Sequence, residues 1–160
     1  MADHGINVSR ADTAVATPNA ATCGIPFVIG TAPLSKATGT AATAGTPVLC
    51  TSYTEAEEQL GYDDDWAKYT VCEVMHYHFK LCACQPVIFL PLAENAEAAA
   101  VAAAVEQVEA CLTMFGIVPD LIMAPGFSKD ATVSAAIDAK AGSINGMFTG
   151  KALVDISEKT

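Results

Sequence analysis

Residues able to do chemistry crowd first into "CEVMHYHFKLCAC", residues 72–84, where Cys72 and His76 stand at i, i+4 and His78, Cys82 and Cys84 follow closely. Thiolates and imidazoles together suggest zinc. A structural zinc site, however, wants recurring pairs such as C-x-x-C with a second pair at a set distance, whereas this run ends in C-x-C and carries two His at i, i+2. On one helix His76 and His78 point about 200° apart. No metal is therefore expected, with Cys72 and Cys82 buried and at least one His solvated. A Cys nucleophile with a His base finds no support, because nothing near any of the six Cys resembles a nucleophile context.

Two further stretches come close to known chemistry. "LIMAPGFSKD", residues 121–130, runs an apolar stretch into Pro125-Gly126 and then Ser128. A nucleophile elbow needs G-x-S-x-G, but position 130 is Asp. Pro125 and Gly126 instead read as the turn that stops a strand, and Ser128 as the N-cap of the next helix. "NGMFTGKAL" approaches a phosphate loop, yet Gly146 to Gly150 is one residue short of G-x-x-x-x-G-K-[ST] and Ala152 stands where a magnesium-binding hydroxyl belongs. A helix precedes it and a strand follows, the reverse of what a phosphate loop needs. It reads as a turn.

The elements that position these residues follow from periodicity. "HGINVSRADTA" alternates Ile6 and Val8 against Asn7 and Ser9, the period of a strand with one buried face, and reads as an extended arm over residues 1–22. The body, 23–160, opens with a strand at "IPFVIGTA" (25–32), a Gly/Ala/Thr-rich loop, and a short strand at "PVLCTS". Thr54 and Glu57 have capping-box spacing, so "TEAEEQLG" is a short helix ending at Gly61. "DDDWAKYTVCEVMHYHFKLCA" reads as a helix opening on acidic residues, and "QPVIFLPL" as a buried strand. Residues 94–115 form the surest helix, with Val101, Val105, Val108 and Leu112 on one stripe and Gly116 as the stop. "VPDLIMAPG", "SKDATVSAAIDAKAG" and "KALVDIS" then give strand, helix and strand. The fold class is thus α/β: an extended N-terminal arm, then a mixed, largely parallel sheet with helices on both faces.

Composition excludes several classes. The formal net charge is −10 and the only arginine is Arg10, whereas phosphate-backbone binders need a basic face to release counterions. No direct nucleic-acid partner is expected. Residues 13–35 carry no charge, but three prolines and many hydroxyls make them unlike a membrane helix of roughly 20 apolar residues, and no secretory signal is visible. A protein without membrane insertion, with reduced thiols, is expected. No cofactor is implied.

Taken together, "HGINVSRADTA", "VIGTAP" at 28–33, "TPVLCTSYTEAEEQLG" and "PDLIMAPGFS" resemble the N-terminal portion of the contractile phage tail sheath protein and of the sheaths of related phage-like particles. The resemblance implies a structural subunit, not an enzyme. Such subunits polymerise in rings around an inner tail tube protein, and the sheath contracts to drive the tube through a cell envelope. It further implies assembly in the bacterial host cytoplasm, residence in a virion tail or phage-like particle, and self-association through exchanged strands. Residues 5–15, including Gly5, Ile6, Asn7, Val8, Ser9 and Arg10, match the family's N-terminal arm. Family members continue past the strand at 152–157 to a C-terminal arm, so the body is expected to be incomplete here. The alternative is a small doubly wound α/β enzyme using the turn at Ser128 or the Cys/His cluster. An anion- or metal-binding module is a third possibility.

Overall fold

The computed structural model describes residues 24–84 and 86–156. The arm, with Gly5, Ile6, Asn7, Val8, Ser9 and Arg10, lies outside the described residues. Two runs form the centre of the body: β1 (Pro26–Thr31) and β3 (Val87–Leu92), in which every residue is buried. Such continuous apolar runs suit strands covered on both faces. They pair in parallel, Phe27 opposite Ile88 and Ile29 opposite Leu90. β4 (Leu121–Met123) adds in parallel on the other side of β1, and β5 (Lys151–Leu153) adds in parallel to β4. β2 (Val48–Cys50) joins β3 antiparallel, giving the order β2-β3-β1-β4-β5. The sheet is mixed and largely parallel.

Alternation along the strands sorts side chains into two cores. Phe27, Ile29, Ile88, Leu90 and Ile122 face a layer made by α3 (Ala98–Ala104), a 3-10 segment (Val105–Glu109), α4 (Ala110–Phe115) and α5 (Ala131–Gly142). Val28, Val87 and Phe89 face α1 (Tyr53–Leu60), α2 (Thr70–Met75) and the π-helical turn His76–Leu81 that continues it. Phe27 and Phe89 are fully buried on opposite sides, and truncating either to Ala would cost about 3–5 kcal/mol. Pro91 is tolerated in β3 because it lies past the end of β2, whose pairing covers only Val87–Phe89.

Several local expectations shift. Ser52, not Thr54, caps α1: its backbone is extended, and its hydroxyl accepts the Glu55 N–H at 3.2 Å. Glu55 reaches back to accept from the Thr51 N–H and hydroxyl, both at 2.8 Å. The pattern S/T-x-x-E occurs twice, two residues apart, and the helix uses the first. Gly61 ends α1 as expected, at φ 74. The helix expected from the acidic run begins only at Thr70, because Asp63 accepts the Asp65 N–H at 2.8 Å and Asp65 the Lys68 N–H at 3.3 Å, holding turns. The long helix starts at Ala98, and its stripe ends on buried Cys111, with Leu112 only half-buried. The 3-10 segment explains this, since three residues per turn align 105, 108 and 111. The run Ala98–Phe115 has the length and composition of a membrane span, yet its valine stripe is the cover of the sheet.

Candidate functional site

The turn after β4 is the best-organised polar feature of the described residues. The strand ends at Met123, Ala124 is fully buried, and the chain turns through residues 125–129. Gly126 takes φ +78, a conformation that side-chain-bearing residues rarely adopt, and a Cβ there would also meet Thr70 Cγ2 at 3.2 Å. The turn expected at Pro125 and Gly126 is present. The cap is not at Ser128. Asp130, two residues on, has extended backbone, and its carboxylate accepts the Thr132 N–H at 2.8 Å. Ser128 is instead buried, and its hydroxyl accepts the Asp155 N–H at 2.8 Å. Asp155 completes the link by accepting the Gly126 N–H at 2.9 Å. The residue downstream of β5 is thus bound at two points to the turn downstream of β4, across the carboxyl ends of adjacent parallel strands.

Beside this clamp lies an open groove of about 370 Å³. One wall comes from α2 and the π-helical turn, with Glu73, Val74, Tyr77, His78 and Cys82; the other comes from Met123, the turn, Leu153 and Asp155. It sits where α/β sheets commonly bind ligands, outside the carboxyl ends of strands. The chemistry present is limited. Burial lowers the pKa of His78, which keeps the imidazole neutral near pH 7. The Ser128 hydroxyl is already engaged by a backbone N–H.

The Cys/His cluster is dispersed. Cys72 is buried in the core, where burial pushes its thiol up to about 11. His76 packs against Trp66 with ring centroids 5.1 Å apart and planes tilted by 44°, while His78 and Cys82 line the groove. Cys82 is exposed, contrary to the expected burial, because the π turn closes with its N–H donating to Tyr77 O and Cys84 N–H then donates to His78 O, lifting residues 81–84 off the core. Among the described residues no group of three or more His, Cys, Asp or Glu could share a metal ion. Burial likewise raises the Cys50 and Cys111 thiols to about 12, well away from nucleophilic thiolates.

The stretch from Gly146 to Gly150 lies between α5 and β5, the order expected of it. Three of its amides are used internally: Met147 and Phe148 N–H donate to Ile144 O at 3.2 and 3.0 Å, and Gly150 N–H to Ala141 O at 2.8 Å. They do not form a cradle for phosphate.

Sequence reasoning missed the region around β5. Five of the eight large exposed apolar side chains among the described residues are Met147, Phe148, Leu153, Val154 and Ile156. Leu153 lies on β5 and the other four flank it in sequence, two before and two after; the outer edge of β5 pairs with no other strand among the described residues. A signal was available in the run "ALVDI", more apolar than a solvated edge requires. No protein-family model matches the chain, and no curated protein matches it.

Proposed function

We propose that this chain is a structural subunit of a contractile tail sheath, built to associate with copies of itself around an inner tube and to move with them on contraction. The observation that carries this reading is the outer edge of β5, which pairs with no other strand among the described residues, together with exposed Leu153 on it and exposed Met147, Phe148, Val154 and Ile156 flanking it in sequence. Contiguous exposed apolar surface marks association sites, and an open strand edge offers main-chain donors and acceptors to another chain. The strand-like alternation of Ile6 and Val8 supplies a second element suited to strand addition, each main-chain pairing contributing about 0.5–1.5 kcal/mol net.

The enzyme alternative draws on the groove and the turn at Ser128. It has less to work with, because Ser128 is buried and held by Asp155, and the thiols of Cys50, Cys72 and Cys111 are strongly disfavoured as thiolates. The sheath reading needs none of these groups.

Sedimentation velocity and negative-stain imaging over a range of protein concentration test the proposal. Rings, tubes or reversible oligomers are the expected outcome. A strictly monomeric chain at the highest concentrations, combined with turnover of a carboxylic ester that Ser128→Ala abolishes, would replace it with the enzyme reading.

A further inference from the structure

We infer that the outer edge of β5 is a two-fold interface with a second copy of this chain, in which the two β5 strands pair antiparallel with Leu153 on the axis. This goes beyond the sheath reading and does not depend on it. Lys151 N–H donates to Asp120 O, and further along Asp155 N–H donates to Ser128 Oγ. Lys151, Leu153 and Asp155 therefore turn their main chain toward β4 and the turn that follows it. By strand alternation the N–H and C=O groups of Ala152 and Val154 point the other way, out of the edge. That edge pairs with no other strand among the described residues.

The segment is complementary to itself in one register. Two antiparallel copies centred on Leu153 set Ala152 opposite the partner's Val154, a hydrogen-bonded pair that uses the outward groups of both and is repeated by symmetry. Leu153 meets the partner's Leu153 on the axis, and Lys151 meets the partner's Asp155 on the same face. Both charges are available: Lys151 and Asp155 are exposed, and neither is in an ion pair among the described residues. Asp155 keeps acceptor capacity, since Gly126 N–H takes one of about four lone-pair sites. On the other face small meets large, Ala152 against Val154 and Gly150 against Ile156; the two large side chains are 41% and 92% exposed in the single chain. Moving the centre to Ala152 sets Lys151 opposite Leu153, and moving it to Val154 sets Leu153 opposite Asp155, so either shift leaves a charge facing an apolar side chain. A two-fold contact closes on itself and does not propagate. In a sheath subunit it would cover the edge of the free chain until ring contacts take that edge over.

Single cysteines read the register. In the whole chain, with Cys23, Cys82 and Cys84 replaced by Ser, Leu153→Cys places two thiols on the axis with Cα atoms roughly 4.5 Å apart, within disulfide range. Lys151→Cys places them about 13 Å or more apart. Diamide oxidation is expected to give a covalent dimer from Leu153→Cys in high yield, lost in urea, and little from Lys151→Cys. Val154→Pro removes an N–H that points out of the edge, and Lys151→Glu sets like charges opposite each other. Each should weaken dimerisation by about tenfold or more in sedimentation equilibrium. Equal yields from the two cysteines, no dimer from either, or a dimer constant that Val154→Pro leaves unchanged overturns the two-fold pair. Rings or tubes without a crosslink through position 153 leave the sheath reading standing and overturn the pair. A reversible wild-type dimer with that crosslink, which never goes on to rings, supports the pair without the sheath reading.

Discussion

Ser128 and Asp155 are 27 residues apart in sequence and joined in space, the serine hydroxyl accepting the Asp155 N–H at 2.8 Å while the Asp155 carboxylate accepts the Gly126 N–H at 2.9 Å. The serine is thus a tie between two strand ends rather than a helix cap, and the two roles respond oppositely to one substitution. A capping serine accepts replacement by Asp. This one is 2% exposed, so Ser128→Asp would bury a carboxylate beside that of Asp155 and should cost several kcal/mol. Ser128→Ala removes one acceptor and should cost about 0.5–1.5 kcal/mol. Asp130→Ala, at the true cap, should cost about 0.5–2 kcal/mol. Urea denaturation of the three variants checks the order, and a tolerated Ser128→Asp would contradict the tie.

The thiols divide by position. Cys82 and Cys84 are exposed, while Cys50, Cys72 and Cys111 are buried. In the folded chain a thiol reagent should modify the first two rapidly and the last three only on unfolding. Burial raises these three from an ordinary value of 9.0 to about 12, 11 and 12. The protonated form is thus the one the fold favours. Stability from this source is intact below pH 9, and it falls as pH rises from 9 toward 11–12, where the unfolded chain releases protons that the folded chain keeps. The slope should be up to about 1.4 kcal/mol per pH unit per thiol. Urea midpoints between pH 8 and 10.5 should drop more steeply in the wild type than in a Cys50→Ala, Cys111→Ala variant.

How much was legible in the sequence depended on whether local chemistry or tertiary geometry decided the matter. The buried strands "PFVIGT" and "VIFLPL" were readable because uninterrupted apolar runs have few other homes, and the glycine stop at Gly116 because φ 68 strongly favours Gly. The stripe on the long helix was read one residue wrong at its end. A period of 3.6 selects Leu112, but the local 3-10 winding selects Cys111, and winding is not written in residue type. Ser128 was misread for a related reason. Its sequence neighbours fit a cap, while its partner Asp155 lies across the sheet, beyond any local window. The exposed edge at β5 went unnoticed because an apolar run has the same appearance whether it is covered or open.

Gly30 offers a test of the packing between β1 and α2. A Cβ at this position would stand 2.3 Å from Thr70 Oγ1, with Val71 Cγ2 and N at 3.3 and 3.4 Å. Gly30 has an ordinary backbone, so any cost of Gly30→Ala is steric. The substitution should destabilise by about 1–3 kcal/mol. The nearest atom belongs to a hydroxyl that has no hydrogen-bond partner among the described residues, so adding Thr70→Ala should recover more than half of that loss. Thermal unfolding of the two single variants and the double variant measures the coupling. Additive losses would mean that α2 moves away as a unit.

Val8→Pro tests whether the arm serves assembly rather than the stability of the body. If residues 5–10 serve a neighbouring copy, the body is held by the two cores that the described residues form around β1 and β3. Proline at position 8 removes one main-chain donor and fixes φ near −65°, which a paired strand tolerates poorly. Val8→Pro should therefore leave the thermal midpoint of the monomer within about 1 °C of wild type, since a ΔΔG of 1 kcal/mol would move it by about 2–8 °C. Self-association beyond the two-fold pair, measured by sedimentation, should fall at least tenfold, the equivalent of about 1.4 kcal/mol. A midpoint lowered by several degrees in dilute, monomeric protein would mean that the arm packs on its own body, and strand exchange between copies would lose the segment that makes it possible.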